Sequence, residues 1–201
     1  LTTPLGVYSF LTSFFMLASG IFGMHFGISI HTKEFSGKTS EYIFTKPHTR
    51  REIFGAKAFV VLCGTVIVSA AFMLTSFLSL LLFQPGFSMG EFFLVSNSLF
   101  LVSLLLAVMG LLIGILFSNN RSPLLTAGLI VFTEYCITSF ARIIGNKAIS
   151  FLSPYSFFSA ADISHTGFYE PNYLVWYLIL LVVFLLIAYH IFLKKDVQFR
   201  S

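Results

Sequence analysis

Five stretches of this chain, at about residues 5–30, 53–83, 91–117, 123–142 and 172–193, are apolar over lengths that leave few ways to fold. Crossing a hydrocarbon layer about 30 Å thick takes roughly 20 helical residues, and every one of these stretches reaches that length. In lipid each backbone N–H and C=O has to be satisfied inside its own segment, so the stretches are read as helices. The alternating pattern of a lipid-facing β-barrel is absent. Composition agrees: charged residues make up only 10% of the chain, where an ordinary soluble domain carries about 25%. The expected fold class is all-α, a polytopic helical membrane protein forming a single transmembrane domain over residues 1–201.

Local punctuation marks where these helices begin. Thr49 followed by Glu52, and Ser88 followed by Glu91, have the capping-box spacing at the starts of the second and third spans. Ser122 with Pro123 offers an N-cap and a proline at the first helical position for the fourth. Gln84, Pro85 and Gly86 make a tight turn between spans two and three.

The net charge of +4 does not describe a nucleic-acid surface, because the basic residues sit between apolar runs. Lys33, Lys38, Lys46, Arg50, Arg51, Lys57, Arg121, Lys194, Lys195 and Arg200 fall on one side of the membrane, and only Arg142 and Lys147 on the other. The side with ten is expected to be cytoplasmic. Leu1 is then outside and the C-terminus inside, an arrangement that one further span before Leu1 would reconcile with two cytoplasmic ends. The expected location is a cell membrane, multi-pass, with a cytoplasmic C-terminus. Cys63 and Cys136 lie within apolar runs without CxxC spacing and read as buried free thiols.

The connection from His31 to Lys57 is the most informative stretch. Phe35, Thr39, Tyr42 and Ile43 recur at helical spacing, Glu34 and Lys38 form an i, i+4 pair, and Pro47 closes the run. A short amphipathic helix is expected over about 33–48, lying across the cytoplasmic ends of two spans. Taken by itself, the pattern also fits an interfacial helix held by basic residues at the headgroups.

Glu34, then Gly37, Lys38 and Thr39, then Tyr42 through Thr45, Pro47, Arg50 or Arg51, and Gly55 with Lys57 resemble the first cytoplasmic loop of ABC-2 type transporter permeases. Lys38 intervenes between the glycine and Thr39, and His48 and Thr49 fill the Pro-x-x-Arg gap, both departures from the family's pattern. The resemblance implies a type V exporter-like transmembrane domain. It also implies that Glu34, Gly37, Lys38, Thr39, Tyr42, Pro47, Arg50 and Arg51 belong to a coupling helix that docks on a separate ATP-binding subunit. The implied partners are that subunit, a second permease as homodimer or heterodimer, and the bilayer. ATP and Mg would sit on the partner, with no cofactor on this chain. In the same family an extracytoplasmic re-entrant hairpin precedes the last span, and residues 143–171, with Phe151, Pro154, Tyr155, Phe157, Phe158 and Asp162, are its counterpart. An interfacial aromatic belt is the other reading of that segment.

Glu134 is the one acid deep in a span and therefore a candidate pathway residue, with Arg142 two turns along the same face as a possible ion-pair partner. His25, His31 and Glu134 do not make a metal site: there is no HExxH, and the two histidines fall on different faces of one helix. Gly23 with Gly27 and Gly110 with Gly114 are GxxxG pairs expected to let helices approach closely within the subunit. No GxxxxGK[ST] loop is present, so this chain is not expected to be an ATP-hydrolysing enzyme. The expected function is a permease subunit that moves a substrate, in the export direction, under the drive of a partner ATPase. Two rival readings are an integral membrane enzyme using Glu134 or His25, and a non-catalytic membrane scaffold or immunity protein.

Overall fold

The structure, a computed structural model, describes residues 4–36, 49–83 and 87–194. Its long helices are α1 (Pro4–Ser36), α2 (Arg50–Phe83), α3 (Met89–Leu116), α4 (Pro123–Ile144) and α8 (Pro171–Lys194). Between α4 and α8 lie three short ones, α5 (Lys147–Ser150), α6 (Pro154–Phe157) and α7 (Ala160–Thr166). All five long helices are long and apolar enough to cross a membrane, and no strand occurs among the described residues. The protein is thus an all-α polytopic membrane protein.

α3 is the axis of the bundle. Val95, Leu99, Val102, Leu105, Leu106 and Ile115 on it are buried, and α1, α2, α8 and the short helices α6 and α7 pack around it. α1 lies along α3 in the same direction, since residue numbers rise together down their seam. The two GxxxG pairs are what makes that seam close. A Cβ at Gly27 would strike the Ala107 carbonyl and one at Gly110 the Met24 carbonyl. One at Gly23 would come within 2.6 Å of the Ser103 carbonyl, and one at Gly114 within 2.8 Å of that of Ile28. Helices in lipid gain nothing from the hydrophobic effect on meeting each other, so close backbone contact through small residues supplies the attraction. Small polar residues of both helices are buried as well: Ser9, Thr12 and Ser19 on α1, and Ser96, Ser98 and Ser103 on α3.

The outer faces are apolar. Phe59, Ile67, Leu74 and Leu82 on α2, Leu129, Phe132 and Phe140 on α4, and Leu178, Val182 and Leu186 on α8 are exposed. This inversion of the soluble pattern, small polar seam and apolar exterior, is what a lipid solvent selects.

The helix starts vary in how they are held. Thr49 and Glu52 form a reciprocal cap: the Thr49 amide donates to Glu52 Oε2 at 3.0 Å and the Glu52 amide to Thr49 Oγ1 at 3.3 Å. Ser88 is the N-cap of α3, but its hydroxyl makes no capping bond, and neither does that of Ser122 before Pro123. At α4 the turn is closed by Asn120 instead, whose Oδ1 accepts from the Ser122 amide at 3.0 Å and whose Nδ2 donates to Thr126 Oγ1 at 2.9 Å. The turn over 84–86 lies outside the described residues. α4 stops at Gly145, whose φ of 67° is the left-handed conformation that ends helices.

Candidate functional site

Two places in the bundle gather polar side chains. The first is at the end where α1 finishes, α2 starts and α8 finishes. Arg50 Nη1 donates to the carbonyl of Leu193 at 2.9 Å. That carbonyl belongs to the last turn of α8, where helical C=O groups have no partner of their own and attract cations. About two helical turns further on, Lys57 is only 5% exposed. Its Nζ donates to the Ile30 carbonyl at 3.3 Å, lies 3.5 Å from His31 Nδ1 and sits 6.0 Å from the centre of the Phe192 ring. His31 and Phe54 pack on that same ring at 5.8 and 5.7 Å, and Phe54 also meets Tyr189 at 5.3 Å. The lysine stem and the aromatic rings are apolar while the charged head finds a carbonyl, which is how a cation is tolerated at this depth. Together these contacts clasp α1, α2 and α8 at one end of the bundle.

Of the residues assigned to the coupling helix, Arg50 and Arg51 open α2, with Arg51 exposed and Arg50 engaged on α8. Glu34 falls in the last turn of α1, of which only the backbone is described. Lys33 through Ser36 continue α1 without a break after residue 30. Gly37, Lys38, Thr39, Tyr42 and Pro47 lie outside the described residues, and with them most of the helix expected over 33–48.

The second place is at the opposite end, where residues 145–170 turn back into the bundle. Ser156 Oγ donates to Thr138 Oγ1 at 3.1 Å, Thr138 Oγ1 to Ser153 Oγ at 2.8 Å, and Ser153 Oγ to the Glu134 carbonyl at 2.8 Å. Each hydroxyl in this chain spends its single proton on the next, so three polar groups are satisfied without charge. Tyr155 reaches α1, donating to the Met16 carbonyl at 3.4 Å, and its hydroxyl occupies the space a Cβ at Gly20 would need. Met16 is 12 residues from the start of α1, or about 18 Å of helix axis, and Glu134 is 10 residues from the end of α4, or about 15 Å. The segment therefore dips well down between the helices, and protein covers it, as irregular backbone at such depth requires. Phe158 is wholly buried against Tyr169 and Tyr177, the Tyr169 hydroxyl donates to the Leu94 carbonyl at 2.7 Å, and Trp176 Nε1 donates to the Phe151 carbonyl at 3.0 Å.

Glu134 sits beside this fold-back. Its Oε2 is buried and has no hydrogen-bond partner. No ion pair joins it to Arg142: that side chain is exposed and instead borders a cavity of about 50 Å³ shared with Ser13, Tyr135, Thr138, Tyr155 and Ser159. Two turns of separation place both residues on one face, but Arg142 reaches the aqueous end of α4 where its charge is cheaper to keep. His25 hydrogen-bonds along its own helix, with Ser29 Oγ 3.3 Å from Nδ1, and His31 belongs to the clasp at the other end. Among the described residues no group of three His, Cys, Asp or Glu side chains could hold a metal ion.

Neither the partners of Lys57 nor the hydroxyl chain was legible in the sequence. Lys57 stood out as a basic residue flanking a span, and Ser153 and Ser156 as polar residues in an aromatic segment. What they touch comes from elements 26 and 15 or more residues away.

The pattern of the ABC-2 family transporter proteins matches residues 6–197, nearly the whole chain. No curated protein and no solved structure matches it. A family match that leaves out only the first five and last four residues carries one assignment: the chain belongs to the ABC-2 family of transporter proteins, as a membrane-spanning permease.

Proposed function

We propose that this permease is the membrane subunit of an ATP-binding cassette exporter, driven by a separate ATP-binding subunit that engages the segment between α1 and α2. The observation that carries this reading is the clasp. A soluble motor can do work on a membrane bundle only if the part it grips is joined stiffly to the spans. Here residues 37–48 connect the end of α1 to the capped start of α2; Lys57 ties these two ends together, and Arg50 with the rings packed on Phe192 ties them to the end of α8. A displacement of the segment would thus reach three spans together and rock them between inward-facing and outward-facing arrangements. Glu34, Gly37, Lys38, Thr39, Tyr42, Pro47, Arg50 and Arg51 form the docking region. The clasped end faces the cytoplasm, with the C-terminus, in a cell membrane. Two copies, or this chain and a homologous partner, enclose the pathway, to which Glu134 contributes. ATP and Mg bind the partner subunits, for which this chain supplies no phosphate-binding loop.

The test is co-purification with candidate ATP-binding proteins, comparing the intact chain with Glu34→Ala and Tyr42→Ala. Both substitutions are expected to weaken capture and to abolish stimulation of ATP hydrolysis. Unchanged capture and stimulation in both variants would remove the coupling assignment.

A further inference from the structure

The helix α2 is packed unequally along its length. In its first half Phe54, Lys57, Val61, Thr65 and Ser69 are buried at spacings of three and four, one stripe turned into the bundle. Directed bonds hold the clasped end, from Arg50 to the Leu193 carbonyl and from Lys57 to the Ile30 carbonyl. About two turns beyond Lys57, Gly64 lets α1 come close: a Cβ there would lie 2.5 Å from the Phe26 ring. From Ala70 to Leu82 the helix continues unbroken, yet none of these residues is buried.

Clefts flank this far half on two sides. One of about 500 Å³ separates it from α1, between Phe72, Ser79 and Leu80 on α2 and Val7, Leu11 and Phe15 on α1. The other, of about 180 Å³, separates the stretch from Val66 to Met73 from Asn97 and Phe100 of α3, with Ser69 on its wall. Rings supply contacts there: Phe72 meets Tyr8 at 6.3 Å and Phe15 at 5.1 Å, and Phe77 meets Phe87 at 6.2 Å and Phe92 at 5.7 Å. The Thr75 and Ser79 hydroxyls close on carbonyls of their own helix, at 2.9 and 2.8 Å. Ring contacts are weakly directional, whereas a charged head on a carbonyl fixes both distance and angle.

Closely packed and bonded parts move as one body, while a stretch with few buried contacts is displaced at lower free energy. We propose that α2 is a lever, fixed by the clasp, whose far half swings between α1 and α3 so that one cleft closes as the other widens. The short connection from Phe83 to Met89 bounds the arc. The use of this swing in transport rests on the ATP-driven reading, in which the docking segment moves the clasped end; the swing itself does not.

Spin-label distance measurements test it on the purified chain alone in phosphatidylglycerol nanodiscs, in a Cys63→Ser/Cys136→Ser background. One label, at Leu129→Cys on α4, is the shared reference; the second is at Ala56→Cys, Ala71→Cys or Leu82→Cys on α2, all exposed positions. Ala71 and Leu82 lie 14 and 25 residues past Lys57, about 21 and 38 Å along the axis. A rigid arm turning about the clasp therefore spreads the backbone part of the distance distribution about 1.8 times as far at 82 as at 71, with the narrowest distribution at 56. Ser79→Phe and Val7→Trp, which fill the larger cleft from either wall, are expected to narrow the distribution at 82 to near that at 56 while leaving the one at 56 unchanged. Equal widths at the three positions, or a distribution at 82 that neither filling variant narrows, would overturn the proposal. Loss of the coupling assignment in the capture experiment would leave these widths as they are, so the two readings fall separately.

Discussion

At the scale of single residues, the placement of charge and hydroxyls follows from what lipid will tolerate. Arg50 spans from the start of α2 to the end of α8, where its guanidinium satisfies a carbonyl that the helix itself leaves open. Arg50→Ala is expected to cost about 1 kcal/mol and to speed amide exchange in the last turn of α8 while leaving the start of α1 unaffected. Hydrogen exchange measured by mass spectrometry on peptides ending near residue 194 checks this, and an unchanged last turn would show the contact to be without stabilising effect. Arg50 was legible in the sequence as a basic residue beside a capping box. Its partner was not, because Leu193 lies 143 residues away and offers only a backbone atom.

At the scale of elements, long helices are set by local composition and their joints by contacts between them. The Thr49–Glu52 box closes as its spacing implies, whereas Ser88 and Ser122 have N-cap positions without N-cap bonds. The joint that matters most is the hydroxyl chain holding residues 153–156 to α4. Thr138→Val, which keeps the side-chain shape, removes the middle link and is expected to destabilise by about 0.6–1.7 kcal/mol, the range for interhelical hydrogen bonds in membranes. Thr133→Val is the control, since that hydroxyl only bonds the Leu129 carbonyl of its own helix at 2.8 Å. Thermal unfolding in detergent should separate the two variants, and equal losses would mean that the chain of hydroxyls adds nothing beyond local helix bonding. The glycine pairs show how far element-level reading goes. Close approach was foreseeable from their spacing, but that the two pairs face each other along one parallel seam depends on how α1 and α3 are set side by side.

For the molecule as a whole, five spans with ten basic residues on one side have a preferred orientation. With the clasped end in the cytoplasm, Asn146→Cys is expected to react from outside intact cells with a membrane-impermeant maleimide, and Arg121→Cys only after permeabilisation. The reverse labelling would invert the topology and with it the proposed docking side.

The sequence by itself determined that the chain is a helical bundle for lipid, because an apolar run longer than the hydrocarbon thickness has only one way to satisfy its backbone. It also determined which end carries the positive charge and which family the loop between α1 and α2 resembles. Only the tertiary structure decided that α3 is the axis, that residues 145–170 fold back to the level of Met16 and Glu134, that Glu134 and Arg142 stay apart, and that Ser69 and Asn97 share a cleft. The physical reason is the same in each case. Apolar length and charge bias are properties of one segment against its solvent, whereas these placements depend on which helix faces meet. Among spans this uniformly apolar, the meeting of faces is chosen by a few small and polar residues whose partners lie far along the chain.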